Sequence, residues 1–117
     1  MFTVRSVILA AIAGVLGCIA NSLAISAMAG ADPIPLILSA GRQFWSIVFA
    51  MALIPIFVRV SGVTAWIAGF VVLEALSSLS AVYIWGAAAP WSFILMVNGA
   101  YALVAVAVYA LGRPKAL

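Results

Sequence analysis

Asn21, Arg42, Glu74 and Asn98 carry side chains able to do chemistry at positions where the flanking sequence is apolar enough to keep water away. Glu74 interrupts the run 62–85, GVTAWIAGFVVLEALSSLSAVYIW, and is the one acidic residue that no reading of the pattern puts in a loop. A carboxylate near the middle of a spanning helix costs ~2.5–3.5 kcal/mol on insertion scales, so it must be paired, neutral or at work. Arg42 is the natural partner. The expectation is a Glu74–Arg42 ion pair held inside the protein and away from lipid, with Asn21 and Asn98 completing its hydrogen bonds. Ser77 and Ser78 continue the Glu74 face, and Tyr101 follows Asn98 at the i+3 position. These seven residues form either a polar layer that fixes the register of packed helices or a site for a proton or ligand.

Other chemistry has little support. The chain has no histidine and a single cysteine, Cys18, which removes a Cys/His metal site, a His-based triad and an intrachain disulfide. No phosphate-binding glycine loop or other cofactor motif is present, so no metal and no cofactor is expected. Ser22, Ser26, Ser46 and Ser80 can bond back to their own helix carbonyls, and none has a base beside it in the pattern. Met28, Met51 and Met96 read as gap-filling apolar residues. The chain is therefore not expected to be an enzyme.

The elements that must position these residues follow from composition. Of the 117 residues, 69% are hydrophobic and 6% charged, with mean hydropathy +1.41, whereas soluble domains carry about a quarter charged residues. A span needs ~20 apolar residues, and the sequence predicts four, at about 6–29, 35–59, 62–85 and 90–111, joined by short loops. The fold class is an all-α, integral membrane four-helix bundle forming a single transmembrane domain over 1–117. A rival reading of the first stretch is a secretory signal, with Ala27-Met28-Ala29 as a small-x-small cleavage site; the apolar run is long for that.

In the first helix Ala10, Gly14, Gly17, Cys18 and Asn21 share one face, and small residues so spaced let another backbone come close. Ala65 and Gly69 form a second packing pair, on a different face from Glu74. The segment 30–35, GADPIP, is the clearest break. Beyond it, the preferred reading starts the second helix at Pro35 and puts Arg42 two turns inside. The alternative is a short interfacial or re-entrant piece over 35–41, with the span beginning at Arg42 or Gln43. Pro55 should kink the far end of this helix. Trp45, Tyr83, Trp85 and Trp91 mark one membrane interface, and Trp66 with Tyr109 the other.

Arg5, Arg59, Arg113 and Lys115 all flank the same ends of the four spans, which puts both termini on the cytoplasmic side. Basic residues are too few and too scattered for nucleic-acid binding. The expected location is the cell membrane, as a multi-pass protein, or the inner membrane if the source is bacterial. Lipid, other membrane subunits or copies of the chain itself are the expected partners. The favoured function is a non-catalytic accessory or assembly subunit, the alternative a homo-oligomeric, proton-coupled carrier of a small solute that uses Glu74. In size and helix count the chain is similar to the small multidrug-resistance transporters. Their essential glutamate lies in the first helix, where this chain has only Asn21, so their mechanism is not carried over.

Overall fold

The breaks between helices fall at glycines, prolines and capping side chains. The structure is a computed structural model that describes residues 2–113; Lys115, used in the topology argument, lies outside the described residues. The helices are α1 (Val4–Ala29), α2 (Pro33–Ile37), α3 (Ala40–Ala50), α4 (Leu53–Arg59), α5 (Gly62–Tyr83) and α6 (Trp91–Gly112), and no strand occurs among the described residues. Four stretches are long and apolar enough to cross a membrane: Val4–Ala29, Ala40–Arg59, Gly62–Tyr83 and Trp91–Gly112. They pack as a helical bundle of 43 × 24 × 23 Å.

A Thr3–Ser6 capping box starts α1, and Gly30, at φ 72°, ends it by donating its N–H to the Ser26 carbonyl. Asp32 then caps α2, accepting from the Ile34 N–H. Here the structure corrects the preferred reading of the second helix. Leu38 and Ser39 separate α2 from α3, and Ser39 is the N-cap of α3, its Oγ accepting from the Arg42 N–H. Arg42 therefore sits in the first turn of its span rather than two turns inside, as in the alternative reading.

The kink assigned to Pro55 falls one turn earlier, at Met51-Ala52 between α3 and α4. Pro55 has no N–H for the Met51 carbonyl, and its ring crowds that carbonyl. The Met51 oxygen instead accepts from the Ile54 N–H at 3.2 Å, a tighter turn. At the far end of α5 the helix stops at Tyr83 rather than at Trp85. Trp85 donates its N–H to the Ser80 carbonyl at 3.0 Å, five residues back, and Gly86 at φ 65° turns the chain away. This swings the Trp85 ring over α3.

α1 packs most extensively on α6, and also on α3; α5 packs on α6, while α3 and α5 meet sparsely. The single small-residue stripe of α1 serves two neighbours. A methyl group on Gly14 would come within 2.7 Å of Ile47 Cα and Ser46 O on α3, and one on Gly17 within 2.6 Å of the Tyr101 ring on α6. Ala10 is buried in the same stripe. On α5, Ala65 is buried and Gly69 lies against Leu53 of α4 and Val106 of α6. Tyr109, expected at an interface, is instead a core residue, packed edge-on against Phe57 at 5.3 Å. Arg113 closes this end of the bundle: its Nη1 donates to the Phe57 carbonyl at 2.9 Å, and its guanidinium lies 5.4 Å from the Phe57 ring centroid.

Candidate functional site in the interior of the bundle

The four long polar residues do come together, though not as an ion pair. Arg42 Nη2 donates to Asn21 Oδ1 at 2.6 Å, Asn21 Nδ2 donates to Asn98 Oδ1 at 2.9 Å, Asn98 Nδ2 donates to Ser78 Oγ at 3.2 Å, and Ser78 Oγ donates to Glu74 Oε1 at 2.8 Å. The chain of bonds runs through all four long helical segments, from α3 to α1, to α6 and then to α5. Every donor points the same way. A guanidinium can only donate, so Arg42 fixes the orientation of the Asn21 amide, whose Nδ2 then donates onward to Asn98.

The expected Glu74–Arg42 salt bridge is thus corrected. Arg42 is spent on nearer acceptors: its Nη2 also reaches Ser22 Oγ at 3.1 Å, and its Nε reaches the Leu36 carbonyl at 3.1 Å. Asn21 carries an acceptor and a donor on one short side chain, so its Oδ1 accepts from the guanidinium while its Nδ2 donates to Asn98. Asn21 Nδ2 also donates to the Val97 carbonyl at 2.8 Å. Between Arg42 and Glu74 lie two amides and a hydroxyl whose dipoles are aligned head to tail, an arrangement in which each bond polarises the next.

Glu74 is also less enclosed than expected. It is half-buried, on the seam between α5 and α6, where its Oε2 lies 3.0 Å from the position a methyl on Gly99 would occupy. Gly99 thus makes room for the carboxylate, a role not read from the sequence. Ser77, expected on the Glu74 face, donates to the carbonyls of Leu73 and Glu74 in its own helix instead. Tyr101 is buried and donates its hydroxyl to the Ser46 carbonyl at 2.6 Å, tying α6 to α3.

Above this chain of bonds, toward the loop that follows α5, lies a half-enclosed cavity of about 380 Å³ between α3 and α5. Asn21, Arg42, Asn98, Ser77 and Tyr101 contribute to its lining, but Glu74 does not. Trp45, Phe49 and Trp85 form its aromatic wall, with ring centroids 5.8 Å apart for Trp45–Trp85 and 6.4 Å for Phe49–Trp85. Sequence reasoning took the tryptophans as membrane-interface anchors and gave Phe49 no role. The signal was the spacing of Trp45 and Phe49, one helical turn apart on the Arg42 helix.

Toward the termini the interior is closed. Leu53, Leu73, Ala102, Ala105 and Val106 are buried there with Phe57 and Tyr109. Cys18 is buried and unoxidised, and among the described residues no cluster of His, Cys, Asp and Glu could hold a metal ion. In comparisons with protein-family models, curated proteins and solved structures, nothing matches this chain, so its functional reading rests on the geometry of the cavity and the bonds beneath it.

Proposed function

We propose that the chain is a multi-pass protein of the cell membrane, with both termini cytoplasmic, that binds a small solute in the interior cavity and carries it as one protomer of a homo-oligomer. The observation that carries this reading is the cavity itself. It has a polar floor and an aromatic wall, and the interior beneath it, toward the termini, is packed with apolar side chains. A carrier caught in one of its two states has this form. Four helices make a thin wall around any pathway, which is why a second copy is needed to complete it. Glu74 is the proton site in this reading, because it is the one carboxylate in the spans and no cation among the described residues is bonded to it. Solute in the cavity reaches it through Asn21, Asn98 and Ser78.

A second reading is favoured by a different observation. The half-buried Glu74 carboxylate on the α5–α6 seam has one hydrogen-bond donor among the described residues, Ser78, and a carboxylate at hydrocarbon depth gains from more. A neighbouring subunit would supply them, and the chain would then be an accessory or assembly subunit. That reading drew on a direct counter-charge for Glu74, which the geometry does not provide.

Purification in mild detergent with mass spectrometry of co-purifying chains, followed by proteoliposome flux with an internal pH dye, separates the two. Recovery of this chain alone, and solute-driven proton movement that is lost in Glu74→Gln, is the expected result with a panel of small carboxylates, amines and zwitterions. Stoichiometric foreign subunits and no flux with any of them would replace the carrier by the subunit.

A further inference from the structure

The chemistry lining the cavity is lopsided. Its only charged group is the Arg42 guanidinium, because neither carboxylate among the described residues, Asp32 or Glu74, lines it. Arg42 uses Nε and Nη2 within the protein, and its Nη1 has no acceptor among the described residues. Two other polar groups of the floor are committed: Asn21 Nδ2 donates twice, and the Tyr101 hydroxyl is held by the Ser46 carbonyl. Ser39 and Gly41, from the start of α3, lie beside Arg42 in the lining. The first turn of a helix presents backbone N–H groups without intrahelical acceptors and the positive end of the helix dipole. The cation and the positive end of the α3 dipole therefore lie at one corner, while Trp45, Phe49 and Trp85 line the remainder.

Resting on the solute-binding reading above, we propose that the cavity takes an oxyanion borne on a flat apolar body, its head against Arg42 and the first turn of α3 and its body against the three aromatic rings. Aromatic walls alone could equally hold a cation, but beside Arg42 and without a carboxylate in the lining a cation would be repelled. The volume of about 380 Å³ lies within the range of organic-ligand sites and far exceeds the needs of a bare inorganic anion. Arginine suits such a head because its planar fork matches carboxylate and phosphate oxygens. Two sources share this chemistry, a free aromatic carboxylate and the phosphate head of a membrane lipid.

The test is quenching of tryptophan fluorescence in the purified, detergent-solubilised protein, with 2-naphthoate and its uncharged analogue 2-naphthamide as probes. Saturable quenching by naphthoate, absence of saturable quenching by the amide, and binding about tenfold or more weaker in Arg42→Gln are expected, that being the loss when one charge-assisted hydrogen bond is removed. Gly41→Leu keeps the test decisive if Arg42→Gln does not fold. Nothing lies within 4 Å of a methyl added at Gly41, so its side chain enters open space and should block naphthoate without strain. Competition of naphthoate by dioctanoyl phosphatidate would assign the site to lipid phosphate, and lack of competition to free carboxylates; either supports the oxyanion site. Equal binding of acid and amide, or naphthoate binding unchanged in both variants, overturns it. Naphthoate binding without flux in proteoliposomes would sink the carrier reading and leave this one standing.

Discussion

The two halves of the bundle are built from helices of the same apolar character, yet one is closed and the other holds a cavity. On the side of the termini, Ala10, Ala65, Gly69, Ala102 and Ala105 let the backbones come close, and Leu53, Phe57 and Val106 fill what remains. On the side of the loop after α5, α3 and α5 meet sparsely, and Trp45, Phe49 and Trp85 line the space between them. Helices in lipid gain little from hydrophobic association, since the tails are as apolar as leucine, so closeness of packing decides which pairs adhere. Small residues close one half; large aromatics line the open space of the other.

The largest effect should come where closeness depends on a missing side chain. Gly14→Ala would drive a methyl to within 2.7 Å of α3 backbone atoms, which cannot yield as a side-chain tip can. A loss of about 3 kcal/mol, the upper end of ordinary overpacking, is expected in unfolding by denaturant in mixed micelles. Gly41→Ala, on the cavity side, should change stability by less than about 1 kcal/mol and so sharpens the contrast between a packed and an open glycine.

Next in size is Asn21→Ala, which strips an acceptor from Arg42 and donors from the Val97 carbonyl and Asn98. About 2 kcal/mol is expected from the buried groups left unpaired, although single interhelical hydrogen bonds average only ~0.6 kcal/mol in membrane proteins. The same unfolding measurement reads it. A loss no larger than that of an exposed Leu23→Ala control would show that the bonded chain does not hold the spans in register.

A double-mutant cycle between Arg42→Met and Glu74→Gln examines the link between the charges. With no direct bond between them, their coupling should be below about 1 kcal/mol, less than a contacting buried pair would give. It should vanish when the cycle is repeated on Asn98→Ala, which cuts the chain of bonds in the middle. Coupling of several kcal/mol that survives in Asn98→Ala would restore a direct ion pair.

How much of this was legible in sequence varied with distance along the chain. The four long apolar stretches were plain from hydropathy, and the spacing of Gly14 and Gly17 told of a close approach because small residues at helical spacing have few other uses. The start of the second span was less legible: Leu-Ile-Leu-Ser-Ala gives only a serine hydroxyl as a stop signal within an apolar run, and Pro35 offered a stronger start than Ser39. The partner of Arg42 was misassigned because formal charge was weighed above reach. Asn21 and Ser22, adjacent on α1, took the guanidinium before Glu74 could. Gly99 stands next to Asn98 as an isolated helical glycine, and only the position of the Glu74 carboxylate gives it a purpose.

The smallest expected effect on stability lies in the aromatic wall. Trp85→Ala, in a half-exposed residue beyond the end of α5, should cost under about 0.5 kcal/mol, as for most substitutions outside the core. It should nonetheless widen the cavity and speed the entry of reagents, which joins it to the last measurement.

In a Cys18→Ala background, Ala81→Cys places a thiol in the cavity lining and Ala105→Cys places one in the closed half, where Ala105 is 0% exposed. Reaction with a charged methanethiosulfonate, which modifies only thiols that water reaches, compares the two halves directly in intact membranes. Rapid modification at position 81, faster still with Trp85→Ala, and none at position 105 is the predicted outcome. Equal reactivity at both positions, or protection at 81, would contradict a bundle that is open on one side and packed shut on the other.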